Sequence, residues 1–123
     1  QFQAVVTSPK PLQQPHPPIV IGGNRPPALR RVARLGNGWH PMGIPPSGVA
    51  ERLRFIHDEA EAVGRTDTSF LVQVRRDFDG VDAELIKAYE EAGVTDLVLS
   101  CNTGDIQLIS ETLNSFAASY IQL

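Results

Sequence analysis

From Ile19 onward the chain alternates between short apolar runs and longer stretches with helical periodicity. That alternation constrains the fold more than any other feature. Strands separated by helices return in the same direction, so they build a parallel sheet from βαβ units. The first run, Ile19-Val20-Ile21, reads as a strand buried on both faces. Pro26 and Pro27 suit the first turn of a helix reaching about Leu35, with Leu29, Val32 and Ala33 inward. Gly36 stands at the position after a helix where glycine is favoured. A minimal strand is expected around Trp39.

Ser47 is expected to cap a second helix running to about Val63 and closed by Gly64. In it Val49, Leu53, Ile56, Ala60 and Val63 share one face. Phe70 to Val74 reads as a strand. Asp82 is a cap for a third helix, with Leu85, Ala88, Tyr89 and Ala92 inward and Gly93 as its stop. "VTDLVLS" is a further strand, and Asp105 caps a last helix striped by Ile106, Ile109, Leu113, Phe116, Ala117 and Tyr120. Ahead of all this, Phe2 to Thr7 reads as a strand, and "SPKPLQQPHPP" as a stiff extended connector. Residues 1–18 are thus strand plus connector, and 19–123 are βα units.

Two folds satisfy this order: an open doubly wound sheet, or a segment of a (β/α)8 barrel. A complete barrel needs about 250 residues, so a chain of 123 residues supplies about half of one. The chain begins at Gln1 rather than Met, directly before a strand-like run, which gives the expectation that it is cut from something longer.

Composition narrows the partners. A net charge of -3 leaves no basic footprint for nucleic acid. No apolar run approaches the roughly 18 residues of a membrane helix. One cysteine, Cys101, cannot make an internal disulfide, and no secretory pattern is present. The expectation is a cytoplasmic protein.

The first strand ends in Gly22-Gly23 and passes straight into a helix carrying Arg30, Arg31 and Arg34. A helix N-terminus binds anions readily, and glycines let a phosphate approach the backbone closely. Gly22, Gly23 and Asn24, with Arg25 as added charge, are the residues expected around such a group. A tight strand-to-helix turn with no ligand accounts for the same pair. The pattern is neither a dinucleotide fingerprint nor a P-loop.

The surroundings of the pair carry more. "PKPLQQPHPPIVIGG" followed by "ALRRVARLGNGW" resembles the luciferase-like monooxygenase family, in particular its oxidoreductases dependent on the deazaflavin coenzyme F420. "AVGR" (Ala62 to Arg65) and "YEEAGVTDLVLS" (Tyr89 to Ser100) are later matches. The resemblance covers nearly the whole chain but only the C-terminal half of a family member. It implies a (β/α)8 barrel with the cofactor at the C-terminal ends of the strands. It further implies that Gly22 and Gly23 hold the cofactor phosphate through backbone N–H groups, and that hydride passes between the deazaflavin and an organic substrate. FMN, with oxygen-dependent monooxygenation, is the alternative cofactor. A non-catalytic half barrel is the alternative from another class. Either way the partner is the N-terminal half of the barrel or a second copy, and a homo-oligomer is expected. Asn37 departs from the family, which usually has Asp before Gly-Trp; size and turn tendency are kept while the charge is lost.

Other reactive residues have plainer readings. His16, His40 and His57 lack metal-ligand spacing, and His40 stands near the expected barrel mouth. "RRDFDGVD" lacks the register of a calcium loop; in it Arg75 or Arg76 could meet the cofactor's acidic tail or the substrate. Cys101 has no activating base beside it in sequence. Asn102, Thr103 and Gly104 are candidates for a phosphate-facing loop, and Trp39 reads as core rather than a ring stacker.

Overall fold

A computed structural model describes residues 8–121. The strand expected over Phe2 to Thr7 lies outside them. Residues 8–18 carry neither helix nor regular strand and are largely exposed. Then follow β1 (Val20–Gly22), α1 (Pro26–Leu35), β2 (Gly38–His40), α2 (Pro46–Ala62), β3 (Leu71–Asp77), α3 (Ala83–Glu91), β4 (Asp96–Ser100) and α4 (Ile106–Tyr120). The alternation read from the sequence is thus the observed order.

All three neighbouring strand pairs are parallel, and the spatial order is β1-β2-β3-β4. A doubly wound sheet would reverse its strand order at a switch point. The four described strands do not, and their sequential parallel order fits a partial fold of the barrel type. α1, α2 and α3 contribute to one core with Trp39, Val72 and Val74. Register and pleat therefore divide the sheet. Ile21, Trp39, Val72 and Val74 point under the helices; Gly22, His40, Arg75, Asp77 and Val98 point to the opposite, open face.

Gly38 is where the sheet is tightest. A Cβ there would stand 2.6 Å from the carbonyl oxygen of Leu71 and 2.8 Å from its Cβ, so only glycine lets β2 and β3 approach this closely. Asn37, just before it, joins three strands. Its side-chain oxygen accepts from Ile19 N at 2.9 Å, its N–H donates to Ile19 O at 2.8 Å, and its carbonyl accepts from Leu71 N at 3.0 Å. The amide oxygen makes this contact as the carboxylate oxygen of an aspartate would, without the charge.

Helix ends follow the sequence in part. Asp82 caps α3 by accepting from Leu85 N, and Asp105 caps α4 by accepting from Gln107 N and Leu108 N. Gly64 and Gly93 take the left-handed conformation at φ +73° and +91°. Ser47 is not a cap: α2 starts two residues earlier than such a cap would place it, at Pro46, with Pro45 in the cap position. Two prolines of fixed φ start that helix more strongly than a serine side chain does. Gly36 is not left-handed either; it is extended, at φ -85° and ψ 152°. The carbonyls ending α1 are satisfied from outside instead. Arg65 Nη1 donates to the oxygens of Gly36 (2.6 Å), Ala33 (3.2 Å) and Val32 (3.4 Å), and its guanidinium lies 5.0 Å over the Phe70 ring.

Two expectations of burial fail. Ile19 is 46% exposed and Val20 and Ile21 are only half-buried, because β1 borders the sheet among the described residues and its open face is uncovered. The stripe on α4 exists, but none of its residues is buried. Strand β3 also runs further than expected, through Arg75, Arg76 and Asp77, since β4 pairs it to its last residue.

Candidate functional site

In a parallel sheet every β-to-α connection leaves from the C-terminal ends of the strands. Residues 23–25, 41–45, 78–82 and 101–105 therefore share one rim. Gly23, Asn24 and Arg25 of the expected anion site stand there, and Gly22 ends β1 just before them.

The turn after β1 is built from the core outward. Gly23 sits at φ +113°, where side chains are rare, and a Cβ on it would approach Ala28 Cβ to 3.1 Å. Its N–H donates to His40 O at 3.3 Å, extending the ladder to β2. Its carbonyl accepts from the indole Nε1 of Trp39 at 2.8 Å, and Trp39 is wholly buried. Trp39 is thus core, as the sequence suggests, and also the donor that fixes the turn.

Asn24 is clasped on both sides. Its Nδ2 donates to Met42 O at 2.6 Å, and its Oδ1 accepts from Met42 N at 2.9 Å. This side-chain amide imitates a strand partner and ties the first connection to the second. It is spent on structure. The Asn24 carbonyl accepts from Arg52 Nε of α2 at 3.2 Å, and Arg52 Nη1 also donates to Gly48 O at 3.1 Å.

A trans peptide points its N–H opposite its C=O. With Gly23 O turned onto Trp39 and Asn24 O onto Arg52, the N–H groups of Asn24 and Arg25 are turned away from them. Neither N–H carries a hydrogen bond among the described residues. The helix behind them adds nothing. Pro26 and Pro27 have no N–H, and Ala28 N donates to Arg25 O at 2.9 Å. Any anion chemistry here belongs to the turn, not to the first turn of α1. Arg25 is exposed and joins no ion pair among the described residues.

The loop after β4 differs. Asp105 takes the amides of Gln107 and Leu108, so a carboxylate already occupies the start of α4. Thr103 Oγ1 accepts from Asp105 N at 3.2 Å. Asn102 reaches sideways, its Nδ2 donating to Asp77 Oδ1 at 3.1 Å. Ser100 Oγ donates to the same oxygen at 2.6 Å. This triad of Asp77, Ser100 and Asn102 was not foreseen. It depends on the register pairing Asp77 with Ser100, and no local signal announces it. Arg75 and Arg76 stand beside it, whereas His57 stacks edge-on against Phe70 at 5.5 Å, away from the rim. Cys101 is half-buried beside Asp77 and Asn102. His40 ends β2 next to Gly22, and His16 lies in the exposed connector.

Residues 1–78 match a family model described as luciferase-like monooxygenase. Uncharacterized protein Rv0940c of Mycobacterium tuberculosis is 33% identical over 82 residues, covering 67% of this chain and 27% of the relative. Uncharacterized protein Mb0965c of Mycobacterium bovis matches with the same figures. The match thus spans about a quarter of the curated relatives' length. The family match takes in the connector, the glycine turn, the Trp39 strand, α2 and β3, well over half of the residues. By that measure the chain belongs to the luciferase-like monooxygenase family.

Proposed function

We propose that this chain supplies the C-terminal part of a (β/α)8 oxidoreductase that binds coenzyme F420 with its phosphate at the turn Gly22-Gly23-Asn24-Arg25. The observation that carries the reading is the pair of uncommitted amides at Asn24 and Arg25, each turned outward by a side chain gripping the carbonyl before it. An anionic headgroup fits such a turn. Two N–H donors and the Arg25 guanidinium match its oxygens. Gly22 leaves room on the open face: a Cβ there meets nothing closer than His40 O at 3.9 Å. The bound deazaflavin would supply the hydride chemistry toward an organic substrate. The protein's part is to hold and orient it. Asn24 serves by joining two connections, not by touching the headgroup.

Four strands in sequential order make half of an eight-stranded ring. The rest of the ring comes from an N-terminal half or from a second copy. The test uses the protein with its barrel complete. Absorbance of the copurified cofactor identifies a deazaflavin by a maximum at shorter wavelength than a flavin's; a flavin spectrum reassigns the turn to FMN. Gly22→Leu, which the backbone accommodates, is expected to lower cofactor affinity at least about tenfold, as is Arg25→Ala. Unchanged retention in both variants would overturn the assignment.

A further inference from the structure

The rim holds a second feature that the glycine turn does not use. Between the connection after β2 and the end of β3 lies a cleft of about 390 Å³, within the range of small-molecule sites. Arg75, Arg76, Asp77 and Asp79 line it. Charges of both signs share this space, yet neither arginine pairs with a carboxylate. The ion pairs among the described residues are Arg30–Glu59, Arg52–Glu51 and Lys87–Glu91. The state of Asp77 shows why one acid stays apart. Its Oδ1 accepts from Ser100 Oγ at the end of β4 and from Asn102 Nδ2 in the loop after it, both neutral donors. The carboxylate is thereby fixed in place, and Oδ2 carries no hydrogen bond among the described residues. Arg75 and Asp77 stand two residues apart on one strand, so both project from the open face of the sheet.

We propose that this cleft is a substrate subsite for a hydroxylated organic anion. Arg75, with Arg76 beside it, takes the anionic group, and a substrate hydroxyl donates to Asp77 Oδ2. An uncharged aliphatic or aromatic ligand would cover these groups and leave them unpaired, which disfavours it. Met42 lines the cleft and is also the residue that Asn24 clasps, so the cleft and the glycine turn share a wall. The proposal rests on the rim being the cofactor end, and it assigns the substrate class there.

Three probes separate the contacts: gluconate carries a carboxylate and hydroxyls, hexanoate the carboxylate alone, sorbitol the hydroxyls alone. In NMR titrations of the protein, gluconate is expected to bind at least about tenfold more tightly than either. Its shifts should centre on residues 41–43 and 75–79. Arg75→Ala should lower gluconate to the level of sorbitol. Asp77→Asn keeps an oxygen for Ser100 and Asn102, and should lower gluconate to the level of hexanoate. Gly22→Leu should leave gluconate binding unchanged whatever it does to the cofactor, so the two assignments fail separately. Equal binding of the three probes would overturn the subsite. So would an Arg75→Ala variant that binds gluconate normally, or one that loses cofactor and not gluconate.

Discussion

The indole N–H of Trp39 grips the carbonyl of Gly23 across 2.8 Å, linking the best-buried side chain of the sheet to a positive-φ glycine of the rim. Trp39→Phe keeps an aromatic ring in the core but removes the donor, leaving a part-buried carbonyl unpaired. The expected cost is about 1–3 kcal/mol, read as a lower urea midpoint with little change in slope. Anion or cofactor affinity should fall as well, because the Asn24 amide loses the bond that orients it. A midpoint matching the parent protein would show that the grip is incidental.

Gly38→Ala tests the close approach of β2 and β3. The added methyl would meet Leu71 O at 2.6 Å and Leu71 Cβ at 2.8 Å, and neither backbone can yield without moving a strand. A loss of about 1–3 kcal/mol or more is expected. Gly104→Ala is the control, since a Cβ there meets nothing within 4 Å and its φ is not left-handed. It should fall within about 0.5 kcal/mol of the parent. Similar losses from both substitutions would refute the packing argument.

What could be read in advance divides along the range of the interactions. The order of elements was legible because periodicity is local: Val49, Ile56 and Ala60 recur at helical spacing wherever the helix packs. Asp82 and Asp105 were legible because a cap reaches only two or three residues ahead. Arg65 gives no local sign of its role, since the carbonyls it caps lie about thirty residues earlier. The clasp of Asn24 on Met42 has no local signal, because the two stand 18 residues apart across the rim. The Asp77–Ser100–Asn102 triad exists only once β3 and β4 are in register. The apolar stripe on α4 tells which face avoids water and nothing about what covers it.

Arg65 offers a cleaner measure of such a long-range contact. One guanidinium nitrogen serves three carbonyls at the end of α1 while the group lies over Phe70. Arg65→Ala should cost about 1–3 kcal/mol, as for hydrogen bonds to a charged group. Arg65→Lys should recover only part of it, because an ammonium lacks the flat fork that stacks and donates together. Full rescue by lysine would reduce the role to charge near a helix end, worth typically 0.3–1 kcal/mol.

The last prediction concerns the exposed apolar surface around β4 and α4. On α4, Ile106 is 81% exposed and Leu113 51%, and on β4 Val98 is 42% exposed. Phe78, Leu97, Leu99 and Phe116 border a groove that Leu113 also lines. Strand β4 also ends the sheet among the described residues, with one side of its ladder unpaired. Such an edge beside apolar surface favours association. A second copy related by a two-fold axis along the ring would set its β1 parallel to this β4, and four strands from each copy would make eight. Light scattering on the isolated chain should therefore give a mass at least twice that calculated from the sequence. Leu113→Lys, on an exposed helix position, should shift the population toward monomer without unfolding it. Coexpression with an N-terminal half of a family barrel should compete with self-association. A monodisperse monomer at high concentration, unaffected by the lysine, would show that this surface tolerates water and that the ring needs no second copy.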